Sequence, residues 1–329
     1  MVLETELPFY KKEMLMGKKI TVFGSFVVDL MGRCPHLPVP GETVKGSLFK
    51  MGPGGKGFNQ AVAAHKAGAD VTMVTKVGKD PFADLAIETM TRLGMDTKRV
   101  FCSEQAETGT ALIMVDENTS QNEIAVILGA CDTISDEEVE SVSDLLDQSE
   151  YLLIQLETNI SSVRKAVEMA YDKGVKIILN TAPVQPVSDS ILSRVDLITP
   201  NEVEASILSG ISVTEEESAG KAADYFLNKG VKNVLITMGS KGVYIATGKR
   251  RGLLPAYQVD AVDTTGAGDA FNGGLAAALA EGKDLWEAAK FANALAAISV
   301  QRIGTTPAMP ERSEIDTFIK SHEMEEQSC

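Results

Sequence analysis

The chain lacks any cysteine pattern that binds metal or builds a disulfide framework. Its four cysteines, Cys34, Cys102, Cys131 and Cys329, are widely scattered and none belongs to a C-x-x-C pair. A zinc ribbon is thereby excluded, and reduced, mostly structural thiols are expected. Histidine is almost as scarce: His36, His65 and His322 stand outside any H-E-x-x-H pattern, so histidine catalysis and histidine ligation have little footing. Basic residues fall short as well, 31 against 46 acids for a net charge of −15. A chain so charged repels polyanions and offers no basic stripe, so nucleic acid is not an expected partner. No apolar run approaches the length of a bilayer span, and residues 1–19 mix acids with bases without the apolar stretch of a secretory leader. The expectation is a soluble, cytoplasmic protein with no membrane partner.

What is present is hydrophobic substance, 44% of 329 residues, enough for one large α/β domain. Apolar β-rich runs alternate with helical periodicity: KITVFGSFVV, FNQAVAAHKAG, VTMVTKVG, FADLAIETMTRLG, and later YLLIQLE, SSVRKAVEMAYDKG, KIILNTA, DLITP, EVEASILSG and NVLITMG. That order predicts a mostly parallel sheet covered by helices on both faces. Two stretches break the rhythm, GETVKGSLFKMG and GTALIMVDENTSQNEIAVILG, and read as antiparallel strands of a small lid. The expected division is an N-terminal extension 1–18, a domain 19–312 with lid strands from about 31–51 and 108–129, and a helix end with an acidic tail at 313–329.

The densest chemical signal is DTTGAGDAFNGGLAAALAEG, residues 263–282. Gly266, Ala267 and Gly268 precede a helix beginning near Asp269, so their N–H groups can converge on an anion with the helix dipole behind them. Asp269 then suits a base taking a proton from an attacking hydroxyl; the plainer reading is an N-cap after a flexible turn. Phe271 occupies the third glycine position of a Rossmann fingerprint, and Gly57 follows Lys56 where a Walker A loop needs Ser or Thr, so neither motif applies. GPGGKGFNQ opens a second helix, with Gly54, Gly55 and Gly57 permitting close backbone approach and Lys56 and Asn59 offering donors. Polar groups also collect at predicted strand ends: Glu157, Asn201, Glu204 and Thr237 to Gly242. Each alone reads as a cap; together they point to one cleft at the carboxyl edge of a parallel sheet.

GGKGFNQA at 54–61, QLE at 155–157, TPNEVE at 199–204, TMGSKG at 237–242 and AVDTTGAGDAFNGG at 261–274 together resemble the ribokinase branch of the PfkB carbohydrate kinases, and PGETVKG at 40–46 fits its lid region. The resemblance covers almost the whole chain. It implies a three-layer α/β/α fold with a small β-sheet lid, and ATP-dependent phosphorylation of the primary hydroxyl of a pentose. Asp269 would be the general base, with Gly266, Ala267 and Gly268 stabilising the transferred phosphoryl group. Asp29, Gly55, Lys56, Gly57, Asn59 and Glu157 would hold the sugar. Thr237, Gly239, Ser240, Gly242, Gly268 and Asn293 would line the nucleotide pocket with Asn201, while Glu204 would reach Mg²⁺ through water. A K⁺ ion would lie among Asp263, Thr265, Ser299, Arg302 and Gly304, mostly on backbone carbonyls, although Arg302 also reads as a surface ion-pair partner. The same resemblance implies a homodimer joined through the lids.

One position departs from the pattern. Similar ribokinases read G-S-x-N-x-D in the first strand, whereas this chain reads GSFVVD, with Val27 in place of the Asn. Valine neither donates nor accepts a hydrogen bond, so a ribose hydroxyl buried against it loses roughly 1–3 kcal/mol. Deoxyribokinase-like members resemble this chain in having an apolar residue there, which makes 2-deoxy-D-ribose a candidate beside D-ribose. Alternatively water or Asn59 serves the hydroxyl. A kinase of another sugar or a nucleoside, and a silent binding regulator on the same fold, complete the field; retention of Asp269 beside Gly-Ala-Gly speaks against the silent form.

Overall fold

The apolar run KITVFGSFVV does not form one strand. In the computed structural model, which describes residues 18–119 and 121–326, β1 (Ile20–Phe23) stops at Gly24, and β2 (Val27–Cys34) begins three residues later in a different sheet. The turn between them presses on the helix Lys56–Lys66. A side chain at Gly57 would lie 2.6 Å from the Gly24 carbonyl carbon and the Ser25 nitrogen, so only glycine permits the contact. Phe58 donates its N–H to Ser25 O at 2.9 Å. Below the turn, the buried Cys131 thiol accepts from Phe26 N–H at 3.4 Å and lies 3.3 Å from Phe26 O, which satisfies backbone groups that leave the sheet ladder here.

The remaining strands in chain order are β3 (Leu48–Gly54), β4 (Val71–Val77), β5 (Val100–Cys102), β6 (Thr108–Asp116), β7 (Asn122–Gly129), β8 (Tyr151–Ile154), β9 (Lys176–Leu179), β10 (Leu197–Ile198), β11 (Asn233–Thr237), β12 (Val243–Ala246) and β13 (Arg251–Leu254). The large sheet has the order β13-β12-β11-β10-β9-β8-β1-β4-β5. It is parallel except for the β11-β12-β13 edge. One face packs on helices Lys56–Lys66, Pro81–Arg92, Ala267–Ala280 and Leu285–Ser299, the other on Ile160–Asp172 and Glu216–Asn228, with a separate apolar core on each side. This is the three-layer α/β/α arrangement expected from alternating apolar periods.

The small sheet runs β3-β2-β6-β7. Its outer pairs are antiparallel, but β2 and β6 at its centre are parallel, with Asp29 opposite Ala111 and Arg33 opposite Val115. The expectation of purely antiparallel lid strands is corrected there. Its boundaries move too: β2 starts at Val27, β3 ends at Gly54, and GETVKG at 41–46 forms no strand. Beyond Lys18 the proposed N-terminal extension lies outside the described residues. Of residues 313–329, expected to hold a helix end and an acidic tail, all through Glu326 belong to one helix, Arg312–Glu326, which takes in the first part of the tail, and 327–329 lie outside the described residues. Among the described residues no helix is long and apolar enough to cross a membrane.

Candidate active site

Asp269 is the third residue of its helix, which begins at Ala267 behind a left-handed Gly266 with φ 77°. It caps nothing. Its side chain turns toward the helix Lys56–Lys66, where Oδ2 accepts from Asn59 Nδ2 and Oδ1 from Gln60 Nε2, each at 3.0 Å. The residue is 8% exposed. Burial pushes its pKa up, against the opposing pull of the Lys56 ammonium and the two amides. The amides at the helix mouth are not all available: Ala267 N–H bonds back to Thr264 O at 3.2 Å, so the convergence of three donors expected from Gly-Ala-Gly is reduced. Gly268, exposed and with open space where a side chain would stand, presents the accessible part of the mouth.

Lys56 lies among four carboxylates. Burial alone would lower its pKa, but Asp269, Glu157, Glu204 and Asp29 outweigh it and hold the ammonium above its ordinary value. Glu157 is buried at the end of β8; its Oε2 accepts from Ser25 Oγ at 2.5 Å and from Lys56 N–H at 2.8 Å. The break after β1 and the glycine-rich turn are thus tied to one carboxylate. Asp29, on β2, has a pKa raised to about 6 by burial and by the charges of Glu157 and Asp269, with Thr305 and Lys56 opposing. Gly54 leaves room for it, since a side chain there would displace the Asp29 carboxylate. Gly55 holds φ 93° immediately before the helix. Val27 is 2% exposed and paired across to Gly54 and Gly109. Asn59 accepts from Thr306 Oγ1 at 2.9 Å, which leaves one N–H of its amide uncommitted.

At the other end, Asn201 and Glu204 form a reciprocal cap on the helix Glu202–Ser209: Asn201 Oδ1 accepts from Glu204 N–H at 2.8 Å and Glu204 Oε2 from Asn201 N–H at 3.0 Å. Burial raises the Glu204 pKa, while Asn201 is exposed. Thr237 ends β11 and bridges to Asn201, and the following turn exposes Gly239 and Ser240. Gly242, φ 113°, closes that turn against Leu254 O. Asn293 is buried and donates to Pro255 O at 3.2 Å, so part of its amide belongs to the fold.

The loops at 263–265 and 299–304 come together as expected, but through their own bonds. Asp263 Oδ1 accepts from Thr265 N–H and Oδ2 from Gly304 N–H, both at 2.9 Å. Burial would raise its pKa, yet these bonds lower it overall. Ser299 Oγ donates to Ala296 O, and the Arg302 side chain pairs with Glu314, which realises the surface ion-pair reading of Arg302. Several backbone carbonyls of the two loops are engaged too: Thr264 O accepts from Ala267 N–H, Ser299 O from Arg302 N–H and Val300 O from Val262 and Asp263 N–H.

Between these loops and the inner face of the small sheet lies a cleft of about 440 Å³, lined by Asp29, Arg33, Lys50, Asp263, Thr265, Gly304 and Thr305 among others. Three elements of the site escaped the sequence reading: Gln60, Thr305 and Thr306. A polar pair, Asn59-Gln60, inside an otherwise apolar helix was the available signal for the first.

The model of the pfkB family carbohydrate kinases matches residues 17–312. Ribokinase from Haemophilus influenzae is 41% identical over 305 residues, 93% of this chain and 99% of the relative. Deoxyribokinase from Salmonella typhi is 37% identical over 305 residues, 92% and 99% of the two chains. Among solved structures, Arabidopsis thaliana ribokinase complexed with ribose and ATP superposes with a TM-score of 0.85 at 29% identity, covering 93% of this chain and 99% of the other. With the three-layer fold, a family model spanning nearly the whole chain and relatives aligned end to end, the chain belongs to the pfkB family of carbohydrate kinases, sugar kinases that transfer a phosphoryl group to a hydroxyl.

Proposed function

We propose that the chain transfers the γ-phosphoryl group of ATP to the primary 5-hydroxyl of a pentose, D-ribose or 2-deoxy-D-ribose. The observation that carries this reading is the buried Asp269 carboxylate, held by two amide donors at a glycine-preceded helix mouth and electrostatically coupled to Asp29, Lys56 and Glu157. In this reading Asp269 takes the hydroxyl proton as the oxygen attacks phosphorus in line, and the mouth at Gly266–Gly268 stabilises charge on the transferred group. Asp29, Lys56, Asn59 and Glu157, with the backbone at Gly55 and Gly57, orient the sugar. Asn201, Thr237, Gly239, Ser240, Gly242, Gly268 and Asn293 border the nucleotide.

Mg²⁺ fits this site as a cation carried by the phosphates, whose charge it neutralises. Glu204 Oε1 accepts from Asn201 Nδ2 and Oε2 from Asn201 N–H and Thr181 Oγ1, so it would meet such an ion through water. K⁺ fits the loops of Asp263, Thr265, Ser299, Arg302 and Gly304, where backbone carbonyls would hold it and the Asp263 carboxylate would keep the two loops in register. We assign the small sheet as a lid and its exposed apolar residues, Phe49, Met51, Leu112 and Ile127, as a homodimer contact. A cytoplasmic location, where ATP is available, belongs to the same proposal.

A panel of ribose, 2-deoxyribose, fructose and adenosine, assayed with ATP with and without K⁺, tests the reading. Turnover of a pentose above the rest is expected, with Asp269→Asn slower by about 10²–10⁴-fold; turnover intact in Asp269→Asn would remove the base. The second reading, preference for 2-deoxyribose, is favoured by the buried, apolar Val27.

A further inference from the structure

Gln60 follows Asn59 on the helix Lys56–Lys66 and is fully buried, so it does not line the cleft. Its amide is nonetheless completely used. Nε2 donates to Asp269 Oδ1 and to Asn180 Oδ1, both at 3.0 Å, and Oε1 accepts from Gln155 Nε2 at 2.7 Å. An ionised carboxylate only accepts, so the amide of Gln60 has one orientation here. Asn180 is fixed in turn, donating to Thr199 O at 3.0 Å. Thr199 Oγ1 donates to Asn272 Oδ1 at 2.6 Å, and Asn272 Nδ2 to Gly268 O at 2.8 Å. The circuit closes on the peptide that precedes Asp269.

The two helices are close enough for this only because Gly273 lacks a side chain; one there would come within 2.5 Å of Gln60 O and Ala63 Cβ. Asn59, by contrast, holds the other carboxylate oxygen from a position beside the cleft loop at Thr306. The division leaves Gln60 able to act on the reaction through Asp269 alone.

We infer that Gln60 is a positioning residue for phosphoryl transfer, aiming the Asp269 carboxylate at the hydroxyl to be activated without touching sugar or nucleotide. The inference rests on the reading of Asp269 as base. A donor held against the ionised carboxylate favours that form over the protonated one, so its loss makes Asp269 harder to ionise. Catalysis then fails first at low pH.

The test is the dependence of kcat/KM on pH, over about pH 5–9, in the full-length chain and its Gln60→Met, Gln60→Glu and Asp269→Asn variants, with thermal melts as folding controls. Gln60→Met is expected to lower kcat roughly tenfold or more and to move the acid limb up by about one pH unit, with the sugar KM within about twofold of the parent. Gln60→Glu, nearly the same shape, sets two carboxylates against one another and moves the limb further up. It carries the test by itself where Gln60→Met fails to fold. An unmoved acid limb in the folded variants, or a change confined to KM, overturns the positioning role provided Asp269→Asn is inactive. Full turnover in Asp269→Asn overturns the base itself.

Discussion

Val27 and Asp29 point from one strand toward opposite consequences for the sugar. Val27 is enclosed between Gly54 and Gly109 and offers a hydroxyl nothing. Restoring the amide with Val27→Asn is expected to raise the ratio of kcat/KM for ribose over 2-deoxyribose by about 10–100-fold; competition assays with the two sugars read this directly, and an unchanged ratio removes Val27 as the discriminator. Asp29, with a pKa of about 6, is ionised in the neutral range at a cost to the fold. A carboxyl whose folded pKa is raised contributes stability below the unfolded pKa near 4 and loses it as pH rises through about 6. Asp29→Asn should therefore melt a few degrees higher than the parent at neutral pH, with the gain disappearing as pH falls from about 6 to below 4. Calorimetry at both ends of that window checks it, and the sugar KM should rise in the same variant.

Most of these side chains were legible because they sit in short glycine-rich or strand-end motifs, where polar residues interrupt apolar runs. Asp269, Lys56, Asn59 and Glu157 belong to that group, and the structure couples them. Gln60 and Gln155 lie within GGKGFNQA and QLE, yet nothing in either motif marks them, since a buried amide network is defined by side-chain orientation across distant segments. The Asn201–Glu204 pair shows the converse: the plain capping interpretation describes its two reciprocal backbone bonds, while Glu204 also accepts from Asn201 Nδ2 and Thr181 Oγ1.

Among the elements, helices and parallel strands followed the apolar periods closely. The helix ends before Gly68 and Gly94 are closed by left-handed glycines, as expected. Hydropathy could not reveal the break at Gly24–Phe26, because an apolar run looks alike whether it continues in one sheet or passes to another. Nor could it reveal the parallel pairing of β2 with β6, which joins residues about 80 positions apart. The crossing of helices Lys56–Lys66 and Ala267–Ala280 at Gly273 is the element-scale contact on which the site depends. Gly273→Ala is expected to destabilise the chain by about 1–3 kcal/mol and to lower kcat, because the added methyl separates Gln60 from Asp269. Denaturant unfolding and steady-state rates measure the two effects; a variant with parental stability would mean that the helices part without cost.

For the whole molecule, the large sheet buries its strands on both faces, while the small sheet leaves apolar side chains in solvent. Phe49 is 66% and Met51 53% exposed at alternate positions on one face of β3. A patch of this kind is what the proposed lid-to-lid contact would cover. On the proposed homodimer reading, the parent is expected to sediment as a dimer and Phe49→Asp combined with Leu112→Asp as a monomer; a monomeric parent, or a variant that stays dimeric, removes the proposed contact.

The departure of the chain from the large sheet at Gly24–Phe26 has a mechanical consequence. Treated as a pivot, that turn makes β2 a lever whose arm lengthens by about 3.3 Å per residue. Asp29 stands near the fulcrum and Arg33 and Cys34 near the far end, so any rotation about this turn would displace the mouth of the cleft further than the carboxylate. In the proposed sugar site, access and the registry of the ligands would then depend on different lengths along a single strand.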